Sequence, residues 1–137
     1  MSLDKIDLEK YSTFVDGVTS KPSKELQVLI DRMIELENNG ANVSRLVTAG
    51  LGLPGESGEF SEIVKKMLFH GKDYNSENII LLKKELGDVV WYWTQACLAL
   101  GVDPNTIISD NVSKLQARYP GGVFNPWHSE NRKEDDV

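Results

Sequence analysis

The stretch LGLPGESGEFSEIVKKM, residues 51–67, decides the fold. Its apolar residues Phe60, Ile63, Val64 and Met67 recur at the spacing of one helical face, and Leu46, Val47 and Leu51 carry the pattern upstream. The sequence therefore predicts a long helix that begins at Asn42 or Ser44 and ends at His70-Gly71-Lys72. Pro54 and Gly55 are expected to interrupt it, by a kink or by letting a backbone approach closely. Glu56 and Glu59 come next, three residues apart, so both project from one face about one turn apart.

ELGDVVWYW, residues 85–93, repeats the arrangement with Glu85 and Asp88. It sits in a second long helix whose apolar stripe is Leu82, Leu86, Val89, Val90, Trp93, Cys97 and Leu100, closed by Gly101. Packed face to face, the two helices would gather four carboxylates. Such groups repel one another and resist ionisation unless a cation lies among them. Oxygen-only donors select a hard ion, Mg²⁺ or Mn²⁺, over zinc or copper. A metal centre of this kind suits phosphate chemistry. A lone Glu-x-x-Glu is common on a solvated helix face, but each pair here borders an apolar stripe. Gly58 and Gly87 also lie inside the pairs, where glycine costs about 1 kcal/mol against alanine. Glycine at both places implies close packing or ligand approach. Glu62, three beyond Glu59, is a fifth acid, readable as an extra ligand or a general base.

The rest of the chain also follows the helical period. Residues 7–18 read as a short amphipathic helix and GVTSKP, residues 17–22, as a linker. Ser23 is expected to cap a helix carrying Leu26, Leu29, Ile30, Met33, Ile34 and Leu36, which Asn38-Asn39-Gly40 stops. Residues 73–78 form a polar loop. Asp103 or Asn105 caps a further helix with Pro104 near its first turn; its apolar face is Ile108, Val112, Leu115 and Tyr119, and Pro120-Gly121-Gly122 ends it. The tail, residues 129–137, reads as charged and frayed, and Met1-Ser2-Leu3 as an expression remnant. No stretch reads as a paired strand. The expected architecture is an all-α, four-helix-bundle-type domain over residues 1–137, with 1–22 and 125–137 peripheral.

Composition narrows the function classes. The chain has 137 residues, 40% of them hydrophobic, enough for one domain with a core. A net charge of −6 argues against binding to nucleic-acid polymers or anionic membranes. It does not exclude a small polyanion, because a bound metal reverses the local field. Cys97 is the only cysteine, so no intrachain disulfide is possible. With no apolar run of about 18 residues and no signal-peptide pattern, a cytoplasmic location is expected.

Basic and aromatic residues form a second group. Asn111, Lys114 and Arg118 make one stripe beside the apolar face of their helix, and Lys65 and Lys66 follow the first acid pair. All suit phosphate oxygens, Arg118 as a planar fork; the alternatives are a solvated basic face or the preference of helix C-termini for cations. Tyr92, one turn from Asp88, is placed to reach the site as a substrate contact. Trp93 reads as packing, and Trp127 as a cover over a groove or an oligomer interface. His70 and His128 are isolated. A Glu-x-x-His pair, a P-loop and any Ser-His-Asp or Cys-His set are missing from the sequence. The glycosylation triplets at Asn42 and Asn111 read as chance matches.

Taken together, LGLPGESGEFSEIVKK, ELGDVVWYW and NVSKLQARYPGG resemble, in content and order, segments of the MazG-type all-α nucleoside triphosphate pyrophosphohydrolases. The resemblance spans about residues 43–124, and 25 residues separate Glu59 from Glu85, within that family's range. Reading the first pair as Glu59 and Glu62 leaves 22 residues, but GESGE fits the family block better. The resemblance implies Glu56, Glu59, Glu85 and Asp88 as metal ligands for Mg²⁺, with Mn²⁺ as substitute, and Asn111, Lys114 and Arg118 as phosphate contacts. It implies cleavage between the α and β phosphates of a nucleotide substrate, with one acid, Glu59 or Glu62, orienting or deprotonating the attacking water. It also implies a homodimer or homotetramer. Two other readings stand beside it. One is a dUTP- or phosphoribosyl-ATP-specific relative on the same fold. The other is a non-enzymatic helical module that binds metal or oligomerises.

Overall fold

The structure, a computed structural model, describes residues 7–131. The expectations for Met1-Ser2-Leu3 and for the tail beyond Asn131 lie outside the described residues. The described residues form six α-helices and one short 3-10 turn, with no strand. The all-α expectation is met. The chain divides into two compact units, Met1–Val43 and Ser44–Val137.

In the first unit, helix α1 (Leu8–Val18) starts at Asp7, whose carboxylate accepts from the Glu9 and Lys10 amides and satisfies two otherwise orphaned donors. A 3-10 turn (Lys21–Ser23) follows and packs on helix α2 (Leu26–Asn38). Lys24 fastens this corner by donating to the Asp16 carbonyl at 2.9 Å. Ser23 is not the cap of α2. It closes the 3-10 turn, and Glu25 stands at the cap position without a side-chain capping bond. Gly40, at φ 90°, turns the chain after α2 as a residue without Cβ can. Glu37 then accepts the Val43 amide at 2.8 Å, so a side chain from α2 satisfies a first-turn donor of the next helix.

In the second unit, helix α3 (Val43–Phe69) runs without interruption through Pro54. The proline ring removes the bond its amide would give to the Gly50 carbonyl. Gly50 is exposed, so water can take that carbonyl. Helix α4 (Ser76–Leu100) is capped by Asn75, which accepts the Asn78 amide at 3.0 Å. Buried Asn78 donates to the Asp73 carbonyl at 2.6 Å and locks the preceding loop. Gly101, left-handed at φ 65°, ends α4 with bonds from the Val102 amide to Cys97 and from its own amide to Leu98, a paired carbonyl cap. Asp103 caps helix α5 (Pro104–Arg118), with Pro104 in its first turn. The tail holds an unexpected helix α6 (Pro126–Glu130), capped by the Asn125 carboxamide.

One expectation fails within the single chain. Among the described residues only Val43, Ala49 and Cys97 are buried hydrophobics. Of the α4 stripe, Cys97 alone is buried; Leu86 is 50% and Val90 58% exposed. The long helices carry apolar residues on more than one side, and the chain by itself covers few of them.

Candidate active site

Helices α3 and α4 meet along a ladder of residues that step in opposite directions along the chain. Gly52 faces Tyr92. Glu56 feels the charges of Asp88 and Glu85. Glu59 and Ile63 line one groove with Glu85 and Leu81. Steps of three and four on each helix keep these residues on the facing sides. The two helices are therefore antiparallel, and their facing sides carry the acids.

Glu56, Glu59 and Glu85 each offer a carboxylate oxygen, and these oxygens lie within 4.8 Å of one another. Glu56 and Glu85 are half-buried and Glu59 is exposed. Partial desolvation raises the Glu56 pKa above its ordinary value, and the charges of Glu59, Asp88 and Glu85 push it further up. Asp88 stands outside the trio, but its charge acts on Glu56. Anionic oxygens at this spacing, one of them resisting ionisation, fit a hard divalent cation: all-oxygen donors match its preference, and its charge removes the repulsion.

Beside the acids lies an open groove of about 440 Å³, lined by Gly55, Gly58, Glu59, Glu62, Lys66 and Glu85 among others. Glu62 lies in this groove but not in the trio. Its carboxylate pairs with Lys65, one turn on, and with Lys66 at 3.4 Å. The hydrogen bond from Lys65 and the two ammonium charges lower its pKa. A carboxylate held ionised in this way is a weaker proton acceptor than one whose pKa is raised. Lys65 and Lys66, expected to meet phosphate, are both engaged by Glu62, although Lys66 also lines the groove.

Asn111, Lys114 and Arg118 share a face of α5, as their spacing predicted. The groove's lining does not include them. Tyr92 does not point into the groove's lining; its ring lies on Gly52 and stands edge-on to Trp91 at 4.7 Å. The close packing expected at Gly58 and Gly87 is found at Gly52 instead. A Cβ at Gly58 or Gly87 would meet no atom of this chain within 4 Å, and Gly58 borders the open groove. Gly52 lies one turn before the acid pair rather than inside it, so the spacing of the acids does not single it out. Trp127 is 65% exposed and stands edge-on to His128.

Comparison with known proteins agrees with this geometry. The MazG nucleotide pyrophosphohydrolase domain matches residues 47–123, more than half of the chain and all of the acid-bearing part of α3 and α4. The Gene 37 protein of Mycobacterium phage L5 is 44% identical over 76 residues, 54% of this chain. The chain spans 66% of that relative's length. No solved structure matches the chain. With an all-α fold, two facing acid pairs and a family match over most of the second unit, the chain belongs to the MazG nucleotide pyrophosphohydrolase family.

Proposed function

We propose that the chain is a Mg²⁺-dependent hydrolase that cleaves nucleoside triphosphates between the α and β phosphates, giving a monophosphate and pyrophosphate. The observation that carries this reading is the convergence of Glu56, Glu59 and Glu85 from two helices to within 4.8 Å in a chain of this family. Glu56, Glu59, Glu85 and Asp88 would hold the cation, with Mn²⁺ as substitute. When bound, the cation neutralises charge on the phosphate oxygens. Glu59, exposed at the groove, takes the proton of the attacking water as its oxygen bonds to phosphorus and the anhydride P–O bond breaks. Glu62 keeps Lys65 and Lys66 oriented, Lys66 at the groove. Lys114 and Arg118 steady the leaving phosphates. The residues do not favour one base or sugar, and a dUTP- or phosphoribosyl-ATP-specific relative falls within the same chemistry.

Further parts of the reading concern assembly and setting. Half-exposed Leu86, Val90 and Leu98 along α4 support a homodimer or homotetramer that buries them. Sedimentation at several concentrations checks this: a single-chain mass throughout would contradict it. No helix of the described residues is long and apolar enough to cross a membrane. A reducing cytoplasm suits the buried free thiol of Cys97.

The test is a nucleotide panel with Mg²⁺, assayed for pyrophosphate before and after chelation. Chelator-sensitive pyrophosphate release supports the proposal. Metal binding without turnover of any nucleotide would favour the non-enzymatic module.

A further inference from the structure

Tyr92 and Gly52 occupy the rung of the α3–α4 ladder next to the acids. Gly52 is one turn before Glu56 on α3, and Tyr92 is one turn after Asp88 on α4. The ring of Tyr92 lies directly against the Gly52 backbone. A Cβ added at Gly52 would overlap Cδ1 and Cε1 of the ring and lie 2.5 Å from Cγ. Because Cγ itself is too close, turning the ring about its own axis gives no relief; the whole side chain must leave its rotamer or the helices must separate. The two nearest rungs on the same faces are the acids, whose oxygens must stay within a few ångströms of one another to share one ion. Among the described glycines only Gly52 faces such a contact.

We propose that Tyr92 is a positioning residue: its ring, seated on Gly52, sets the distance between α3 and α4 and thereby the geometry in which Glu56, Glu59, Glu85 and Asp88 bind a divalent cation. The inference rests on the metal-site reading above. The ring does this by its bulk, and the phenolic hydroxyl takes no part. The role differs from the substrate contact that the position of Tyr92 in the sequence suggests.

Mn²⁺ titration of the full chain, read by electron paramagnetic resonance without nucleotide, tests it, with circular dichroism on each variant. Wild type should bind. Gly52→Ala should bind at least about tenfold more weakly while keeping its helical spectrum, the penalty typical of losing a support behind metal ligands. Tyr92→Phe, which keeps the ring, should bind like wild type, and Tyr92→Ala should lose affinity. Combining Gly52→Ala with Tyr92→Ala should recover part of what Gly52→Ala loses, since the methyl then enters space the ring has left. Equal Mn²⁺ affinity in wild type and Gly52→Ala overturns the proposal. So does a loss in Tyr92→Phe as large as in Tyr92→Ala, which would make the hydroxyl the working group. If Gly52→Ala fails to fold, the contrast between Tyr92→Phe and Tyr92→Ala decides alone. A wild-type chain that binds no Mn²⁺ defeats the metal-site reading itself, and is recognised as that before any variant is compared.

Discussion

Glu56 on α3 and Glu85 on α4 come from separate helices, yet each offers a carboxylate oxygen within 4.8 Å of the other. Like charges so placed are costly in a metal-free fold and useful only when a cation joins them. Most of what can be tested in this chain follows from that relationship.

The first consequence is a dependence of stability on pH. Desolvation and the neighbouring acids raise the Glu56 pKa in the folded chain. Between its ordinary value of 4.5 and the raised value, the folded chain holds more proton than the unfolded one. Stability from this group is therefore present at low pH and lost as pH rises through that window. Metal-free Glu56→Gln lacks this loss, so its melting temperature should gain on wild type as pH rises, and Mg²⁺ should close the gap by stabilising wild type alone. Thermal melts across pH, with chelator and with Mg²⁺, check both signs. A gap that is constant with pH would contradict them.

Glu59→Gln and Asp88→Asn should abolish turnover and weaken Mg²⁺ binding while leaving the metal-free fold intact or more stable. Ordinary surface acids would change stability by less than about 0.5 kcal/mol and leave catalysis alone. Calorimetric Mg²⁺ titration and turnover measured on the same preparations separate the two cases. Full activity in either variant would remove that residue from the site.

Glu62→Gln should behave differently. Its carboxylate is already satisfied by Lys65 and Lys66, and its pKa is lowered, not raised. We expect kcat to fall by less than about tenfold, against a hundredfold or more when a general base is removed. The exposed ion pairs contribute little to stability. What they contribute is present above the ordinary pKa of 4.5 and lost as pH falls through the lowered value. A hundredfold loss in Glu62→Gln with Glu59→Gln still active would exchange the roles of the two acids.

Lys114→Ala and Arg118→Ala should weaken nucleotide handling without changing Mg²⁺ affinity. Losing a charge-assisted hydrogen bond costs about 1.5–3 kcal/mol, roughly ten- to a hundredfold in kcat/KM. Arg118 should be the more sensitive, since lysine cannot replace a planar fork. Binding of triphosphate should suffer more than binding of monophosphate. Equal losses, or none, would make the stripe a solvated face.

The helices were legible because their periodicity and their stop signals agree. Gly101 and the Asp103-Pro104 pair delimit α4 and α5 as their chemistry requires. The two acid pairs were legible from spacing, because three residues along a helix return to the same face, whereas the packing of α3 on α4 decides that Glu85 and not Asp88 joins Glu56 and Glu59. What escaped depends on neighbours distant in sequence. Pro54 does not end α3, since Gly50, the residue that loses the bond, is exposed and its carbonyl can turn to water. Ser23 has the chemistry of a cap but is consumed by a 3-10 turn. Helix α6 did carry a signal, Asn125 followed by Pro126, masked by the charge of the tail. The contact of Tyr92 with Gly52 and the capture of Lys65 and Lys66 by Glu62 are set by packing and by competition among charges, which spacing alone does not rank.

The most direct measurement is a phosphorus NMR spectrum of the products when wild type and Glu59→Gln each meet a turned-over triphosphate with Mg²⁺. Wild type should yield only monophosphate and pyrophosphate signals, and Glu59→Gln neither. Orthophosphate with diphosphate from wild type, or unchanged products from Glu59→Gln, would contradict an acid-bound metal centre that cleaves between the α and β phosphates.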